Sequence, residues 1–374
     1  MAHYKISDVA EEVKDRENNP SESKYDRFVG LEHYVSGDVE ITHFGSTERL
    51  ESAMKVFKAG DILIARRNVY LKRASTVSFD GLTSGDSIVL RAKDPTIARI
   101  LPFVLNTDDF WDYADQYSDG TMSKRLSPKL LLAYEFDLPD DGLEDFADLL
   151  WAANETRNSY RELLRQTDEL VKSQFIEMFQ YIKRDEYKSL KDVCTLITDG
   201  THNPPKFVDS GIPFILVSNI TGNVVTYETP KYITEDDYHL LMKRTPIEKG
   251  DVLLSTVGSY GHPAIVTEDK PFAFQRHIAH LKPNRDVLTS EYLHAAILSS
   301  VVQEQIEILV LGVAQKTLNL SAIKQIKIPV PTIAEQQKFV SFVEQSDKSK
   351  FELKQAIERV TNLMKSLMQQ DFAN

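Results

Sequence analysis

The chain contains an internal repeat of roughly half its length, and this constrains its fold more than any other feature. Gly120–Leu126 recurs as Gly312–Leu318, with glycine, lysine and leucine at the same spacing. Ala59–Ile64 likewise recurs as Lys249–Leu254, in the same chain order. Short matches in a constant order indicate one structural unit used twice, because duplicated units keep their order along the chain.

Each copy has the same organisation, a β-rich region with turn residues followed by a long segment without proline. We predict globular units at residues 1–139 and 181–331 and helices at 140–180 and 332–374. The predicted fold class is α+β, with two pseudo-repeated α/β units separated by two long antiparallel coiled-coil helices under a pseudo-twofold axis. The alternative for each helix is packing against its own globular unit.

Composition excludes some classes of protein. The 374 residues carry a net charge of −12, which argues against a nucleic-acid binder, although half of that charge lies in residues 140–180. No apolar run approaches the ~20 residues of a membrane span, so no membrane association is expected. The single cysteine cannot form an internal disulfide, which favours a cytoplasmic location.

The motifs of enzymes are missing from the sequence. Asn203–Lys206 resembles the Asn-Pro-Pro-aromatic signature of amino-methyltransferases, but its fourth residue is lysine and no glycine-rich loop accompanies it. One cysteine makes a zinc site improbable, and no phosphate-binding loop or serine-nucleophile motif is present. We therefore predict a binding protein with no catalytic residue, no bound cofactor and no metal.

A cluster of basic residues favours nucleic-acid binding in spite of the net charge. Residues 66–73 follow a predicted strand and hold four cationic side chains, an asparagine and a tyrosine. Arginine and lysine neutralise phosphates, while arginine and asparagine bond base edges. The matching segment 255–262 is polar but not cationic, and Lys124 and Lys316 occupy matching positions. A solvated charged surface is the alternative interpretation.

Several motifs resemble those of the specificity subunits of type I restriction–modification systems. In the second unit these are Asp199–His202, Gly250–Ser255 and the tail Ile326–Pro331, which is followed by Glu335-Gln336-Gln337. In the first unit Phe79–Asp86 also resembles the family, together with Gly60-Asp61 at the entry to the strand-like segment Ala59–Ile64. The tail of the first unit departs from the pattern, because it lacks the glutamine pair.

The resemblance implies a division of labour. Each globular unit would be a target recognition domain for one half of a bipartite site in double-stranded DNA. The helices would set the spacing and dock methyltransferase (M) subunits, and a nuclease–translocase (R) subunit would join the complex. S-adenosylmethionine, ATP and magnesium would then be bound by these partner subunits.

Candidate DNA-binding residues are polar or basic residues of predicted loops. Those in the first unit are Arg66, Arg67, Asn68, Tyr70, Lys72, Arg73, Lys124 and Arg125. Those in the second are Thr201, His202, Asn203, Lys206, Ser218, Asn219, Thr256, Ser259, Tyr260, Arg276 and Lys316. Arg67 and Asn68 are the base-reading candidates, and the three lysines at 72, 124 and 316 are expected to contact phosphates.

Candidate partner contacts lie on the two predicted helices. They are Tyr160, Leu164, Val171, Phe175, Phe179, Gln336, Gln337, Phe339, Met364 and Phe372. Two alternatives from other classes remain open at this point: a two-module protein-interaction scaffold that binds no DNA, and an adenine DNA methyltransferase.

Overall fold

A computed structural model describes residues 2–120, 123–203, 205–312 and 316–370. The chain divides into two compact units. Unit 1 comprises residues 1–161 and 354–374, and unit 2 comprises residues 162–353. Among the described residues, none of the helices is both long and apolar enough to cross a membrane.

The first half of the chain supplies eleven strands and five α-helices to the described structure. The strands are β1 (Ala2–Lys5), β2 (Ala10–Glu12), β3 (Arg16–Glu17), β4 (Arg27–Val29), β5 (Gly45–Ser46), β6 (Met54–Phe57), β7 (Ile62–Ala65), β8 (Ala74–Thr76), β9 (Gly81–Thr83), β10 (Ser87–Ala92) and β11 (Glu135–Leu138). The helices are α1 (Ile6–Val9), α2 (Pro95–Val104), α3 (Asp108–Tyr117), α4 (Pro128–Leu132) and α5 (Leu143–Phe179).

The second half repeats this order with fewer strands. Its strands are β12 (Lys188–Ser189), β13 (Cys194–Asp199), β14 (Ile212–Ile215), β15 (Tyr232–Ile233), β16 (Val252–Ser255), β17 (Pro263–Ile265), β18 (Ala273–Phe274), β19 (Ile278–Pro283) and β20 (Lys327–Ile328). Its helices are α6 (Leu190–Val193), α7 (Glu235–Met242), α8 (Ser290–Leu298), α9 (Ser300–Leu309), α10 (Leu320–Gln325) and α11 (Ile333–Gln370).

The two units share one sheet topology. Unit 1 has a four-stranded antiparallel sheet in the order β2-β10-β7-β8, and unit 2 has the order β13-β19-β16-β17 at the equivalent strands. The β1–β11 pair matches β12–β20, and the parallel pair β4–β9 matches β14–β18. The α+β class with two pseudo-repeated units is thereby confirmed. Unit 1 differs in its second sheet, which has five strands where that of unit 2 has three.

The central strands of the four-stranded sheets have apolar residues on both faces. In β7, Ile62 and Ile64 pack into the core that contains the helices, while Leu63 packs toward the five-stranded sheet. In β16, Val252 and Leu254 face the helices and Leu253 faces the opposite core. Since successive side chains of a strand point to opposite faces, burial on both faces requires an uninterrupted apolar run.

The aspartate of each Gly-Asp strand entry has a structural role. Asp61 is 1% exposed, and its carboxylate accepts two 2.7 Å hydrogen bonds from Arg91 and one from the backbone N–H of Lys58 at 2.8 Å. Asp251 is fully buried, bonds His280 at 2.7 Å and accepts from the N–H of Glu248 at 2.9 Å. A buried carboxylate needs such partners. Through its bond to a backbone N–H, each aspartate also fixes the turn that precedes its strand.

The two long helices are antiparallel, and each enters both cores. Helix α5 has 37 residues and α11 has 38, so each is about 55 Å long. In unit 1, Leu150 near the start of α5 shares a core with Met364 near the end of α11. In unit 2, Phe175 near the end of α5 packs on Phe339 near the start of α11, with ring centroids 5.3 Å apart.

A close backbone approach in unit 2 requires glycine at position 200. A Cβ built on Gly200 would lie 2.3 Å from the carbonyl oxygen of Phe274 and 2.4 Å from that of Gln275. We expect Gly200→Ala to lower the free energy of unfolding by about 1–3 kcal/mol, because two strands must move apart to admit the methyl group. Chemical denaturation measures the loss, and Gly222→Ala, where a Cβ meets no atom within 4 Å, is the matched control. Equal stability of the two variants would contradict the prediction.

A buried histidine makes unit 2 sensitive to acid. Burial lowers the pKa of His294 on α8 to about 4, from an ordinary value of 6.5. The unfolded chain therefore binds a proton between these pH values that the folded chain does not. The contribution of the neutral His294 to the free energy of unfolding is then fully present above pH 6.5, and it falls as the pH drops toward 4. We expect a loss of about 2 kcal/mol between pH 7.5 and pH 5 that His294→Gln largely abolishes. Denaturation curves at both pH values test this, and equal losses in the two proteins would refute it.

Candidate nucleic-acid interface

Each unit brings two loops together beside its central strand. In unit 1 the segment after β7 meets the segment before α4: Asn68 donates to the carbonyl of Lys124 at 3.0 Å, and Leu126 donates to Arg66 at 2.8 Å. We call residues 66–73 with 119–126 the unit 1 loop pair, of which 121 and 122 are outside the described residues. The same construction at residues 256–262 with 311–318, described except for 313–315, is the unit 2 loop pair.

The backbone bonds of the unit 2 loop pair match those of unit 1. Gly258 donates to the carbonyl of Lys316 at 3.5 Å, and Leu318 donates to Thr256 at 2.8 Å. Gly120 and Gly312 occupy equivalent turns with φ of +103° and +100°, a conformation that favours glycine. The repeat therefore places Lys124 and Lys316 at equivalent positions, as the sequence predicts.

In the unit 1 loop pair, two arginine side chains contact the same carboxylate. Asp86, the residue before β10, accepts a hydrogen bond from Nη2 of Arg125 at 2.8 Å and forms an ion pair with Nε of Arg67 at 2.9 Å. The side chains of Arg67 and Arg125 are 50% and 43% exposed. These two cations remain accessible to a ligand, and a carboxylate that sequence analysis missed orients both.

Two other predicted arginines hold the loop. Arg66 donates from Nε to the carbonyl of Leu126 at 3.2 Å, and Arg73 donates to the carbonyls of Leu31 and Arg67, both at 3.1 Å. Burial lowers the pKa of both guanidinium groups. Since these side chains are half-buried and bonded to the chain's own backbone, we assign them to anchoring the loop.

Two of the three lysines expected to contact phosphates lie in unit 1, and both are paired with acids. Lys72 bonds Asp108 at 2.7 Å, and Lys124 bonds both the carboxylate of Asp115 at 2.7 Å and its carbonyl at 2.6 Å. The amino group of Lys365 also bonds Asp108, and the two lysines lower the pKa of that carboxyl. A phosphate would have to compete with these exposed ion pairs, which are individually weak.

The remaining candidates of the unit 1 loop pair lie on its surface. Asn68 adopts the left-handed conformation with φ of +55°, and its Oδ1 accepts from Ser123 Oγ at 2.8 Å. Tyr70 is 65% exposed. Asn68 is half-buried, so the tyrosine is the more accessible of the two side chains.

The unit 2 loop pair carries less charge. Lys316 donates to the hydroxyl of Tyr260 at 3.2 Å, with its amino group 5.7 Å from the ring centroid and 3.6 Å from Glu307. The tyrosine and the glutamate raise the pKa of Lys316. Ser259 is exposed, whereas Thr256 is only 6% exposed and supports the loop.

A cavity of about 310 Å³ adjoins the unit 2 loop pair. Its lining includes His202 and Arg276, which the sequence predicts, and Asp199 and His277, which it does not. Asp199 bonds His202 at 2.8 Å. Its other carboxylate oxygen accepts from Arg244 at 2.5 Å, an arginine that no sequence pattern indicates. Arg276 donates from Nε to Nε2 of His277 at 3.2 Å, and burial with Arg276 lowers the pKa of that histidine.

The other candidates of unit 2 are separate from its loop pair. Asn203, Lys206 and Ser218 are exposed, and Thr201 donates to the carbonyl of Asn203 at 2.7 Å. The assignment of Asn219 to DNA contact needs correction. Its side chain is 6% exposed and bonds the backbone of Leu216 and Glu228, at 3.1 Å and 2.7 Å. It therefore shapes the turn rather than facing solvent.

Several candidate partner contacts are core residues. The buried ones are Phe175, Phe179, Gln336, Phe339 and Met364. Burial leaves these side chains no surface for a partner, so we do not retain them as contacts. Tyr160, Leu164 and Val171 are half-buried and Gln337 is exposed, while Phe372 lies outside the described residues.

Exposed apolar residues of the long helices were not predicted as contacts. Leu163 and Leu170 of α5 are 47% and 52% exposed and lie two helical turns apart on one face, and Ile176 is 46% exposed. Phe351 of α11 is 59% exposed. The seven-residue spacing of the two leucines is visible in the sequence and could have indicated this apolar surface.

Part of the chain is similar to a known family. Residues 184–361 match the family described as type I restriction modification DNA specificity domain. The EcoBI specificity subunit of Escherichia coli is 31% identical over 177 residues, which cover 46% of this chain and 37% of that subunit. The match thus spans less than two fifths of the length of this relative.

Two solved structures share the fold over nearly the whole chain. A chain from a type I R-M system, studied for its complex assembly and conformational transition, has a TM-score of 0.54 and 18% identity. That match covers 99% of this chain and 97% of the other. The S subunit from M. genitalium has a TM-score of 0.51 and 14% identity, with coverage of 100% and 96%. Residues 184–361 are thus similar to the type I restriction modification DNA specificity domain, and the chain as a whole shares the fold of these two solved structures.

Proposed function

We propose that the chain is the DNA specificity subunit of a type I restriction–modification complex. Each unit reads one half of a bipartite site in double-stranded DNA through its loop pair. The observation that carries the proposal is the recurrence of one loop construction, with the same backbone bonds, beside the central strand of both units. A module used twice suits a target with two halves.

The chain acts in this proposal without chemistry of its own. Methyltransferase subunits dock on α5 and α11 and modify adenine, and a nuclease–translocase subunit completes the complex in the cytoplasm. S-adenosylmethionine, ATP and magnesium belong to these partners. The exposed apolar residues Leu163 and Leu170 of α5 and Phe351 of α11 support helical docking surfaces.

The acidic charge of the chain fits binding within a complex. Four of the cations of the unit 1 loop pair already bond acids of the chain: Arg67, Lys72, Lys124 and Arg125. The net positive surface that drives binding to phosphates is therefore small in the isolated chain. Weak, salt-sensitive binding by the chain alone and tight binding with its partners are expected.

Methylome sequencing of the host tests the function. Deleting the gene should abolish methylation at one bipartite motif, and returning the gene should restore the same motif. Returning the methyltransferase subunits alone is the control and should restore nothing. A methylome that is unchanged by the deletion would overturn the proposal.

A further inference from the structure

Three charged side chains of unit 1 form a cluster at the base of its loop pair. A single oxygen of Asp86, Oδ1, forms an ion pair with Nε of Arg67 at 2.9 Å and accepts a hydrogen bond from Nη2 of Arg125 at 2.8 Å. Asp86 itself is 26% exposed, less than either arginine.

The ion pair with Asp86 is formed at Nε, on the side of the Arg67 guanidinium. Nε is engaged, while Nη1 and Nη2 have no hydrogen-bond partner among the described residues. The backbone of Arg67 is also fixed, because its carbonyl accepts from Arg73 at 3.1 Å and its neighbours Arg66 and Asn68 bond the facing loop. Arg67 is therefore held at its backbone and at Nε, and its two terminal N–H groups are available as parallel donors.

Two parallel N–H donors match one base edge in the major groove. Guanine presents two acceptors there, O6 and N7, whereas adenine presents one acceptor and one donor. A bidentate contact from arginine therefore selects guanine. Holding the side chain in place before binding reduces the conformational entropy lost on contact.

Unit 2 has different residues at the equivalent positions. Arg66 donates its backbone N–H to the carbonyl of Asp86 at 2.9 Å, and Thr256 donates in the same way to His277 at 3.0 Å, so His277 occupies the place of Asp86. The backbone bridge of Arg67 with Arg125 corresponds to that of Val257 with Thr317. The contact of arginine with aspartate at these positions is therefore found in unit 1 and not in unit 2.

We propose that Asp86 is a positioning residue that presents Nη1 and Nη2 of Arg67 to a guanine in the half-site read by unit 1. This inference rests on the DNA specificity function proposed above. It assigns the ligand of one exposed arginine as a guanine edge and gives Asp86 a role through that arginine. Arg125 shares the carboxylate and balances its charge.

The test is the methylated motif produced by the full chain with its own methyltransferase subunits. With Arg67→Ala, one guanine of one half-site should lose its preference over other bases by roughly 5- to 150-fold, the range of a bidentate contact. Asp86→Ala should relax the same position, and Asp86→Asn, which keeps an acceptor for Nε, should restore much of the preference. That rescue separates positioning from a general loss of structure.

Matched variants complete the design. Arg99→Ala removes an arginine of the same unit that also bonds an aspartate, Asp148, and should leave the motif unchanged. Arg276→Ala, at the cavity of unit 2, should affect only the other half-site. Because Arg67 is exposed, its replacement remains informative even if Asp86→Ala unfolds the unit.

The outcomes distinguish this inference from the proposed function. A bipartite wild-type motif whose guanines all persist in Arg67→Ala, or a relaxed position that is not guanine, overturns the guanine assignment and leaves the function standing. Equal motifs from wild type and a folded Asp86→Ala protein overturn the positioning role. A wild-type chain that directs no bipartite motif overturns the proposed function itself.

Discussion

Replacing Phe339 with alanine is expected to lower the free energy of unfolding by about 3–5 kcal/mol, the cost of deleting a fully packed aromatic side chain. Phe339 is 1% exposed near the start of α11. Its ring packs against Phe175, Phe179 and Tyr292, at centroid distances of 5.3, 5.6 and 6.4 Å. Removing it leaves a cavity that rigid neighbouring rings cannot fill.

The matched control is Phe351→Ala on the same helix. That side chain is 59% exposed, so its loss should change stability by less than about 0.5 kcal/mol. Denaturant titration of both variants, followed by circular dichroism, gives the comparison. Similar losses in the two variants would show that the ring cluster does not stabilise unit 2.

Gln336→Ala is the second large effect, and we expect a loss of roughly 3–5 kcal/mol in the free energy of unfolding. The side chain is fully buried. Its amide donates to the carbonyls of Val287 and Pro331, at 2.9 and 3.0 Å, and its oxygen accepts from the N–H of Thr289 at 2.9 Å. Truncation leaves three backbone groups without partners, one of them buried and two half-buried, and each such group is costly.

The neighbouring glutamine provides the control. Gln337 is exposed, so Gln337→Ala should leave the stability of the chain almost unchanged. Thermal unfolding distinguishes the two variants directly. A Gln336→Ala protein as stable as wild type, with impaired binding of methyltransferase subunits, would instead return this residue to the partner surface.

The glutamine pair shows how far the sequence could lead. The pair is visible as a motif at the start of a long helix, and the duplication made that helix and its counterpart predictable. Which glutamine faces inward depends on the rotation of the helix on the globular core. Gln336 is followed three residues later by the buried Phe339, so both lie on one face, but only the packed structure selects that face.

The candidate interface was predictable in position and less so in electrostatics. Comparing the two copies located both loop pairs, since a duplication conserves where loops lie. The acids that bond the cations lie far from them in sequence. Asp86 is 19 residues from Arg67 and 39 from Arg125, and Asp108 is 36 from Lys72. Such pairs form only when strands and helices pack. From the sequence these cations are therefore expected to be free, whereas in the structure they form ion pairs.

The polar residue Asn219 illustrates the same limit. A loop asparagine beside an exposed serine suggests a contact with solvent or DNA. In the structure its amide replaces missing backbone bonds inside a turn, a role that asparagine fills well. The sequence pattern for the two roles is identical.

Each long helix begins in the core of one unit and ends in the core of the other, and this affects the order in which the protein folds during synthesis. Residues 354–370 are translated after the whole of unit 2, yet Met364 and Met368 belong to the core of unit 1. The first unit to emerge from the ribosome is thus the last to be completed. Until then, the surface that receives these two methionines stays open on the nascent chain, where a chaperone can bind it.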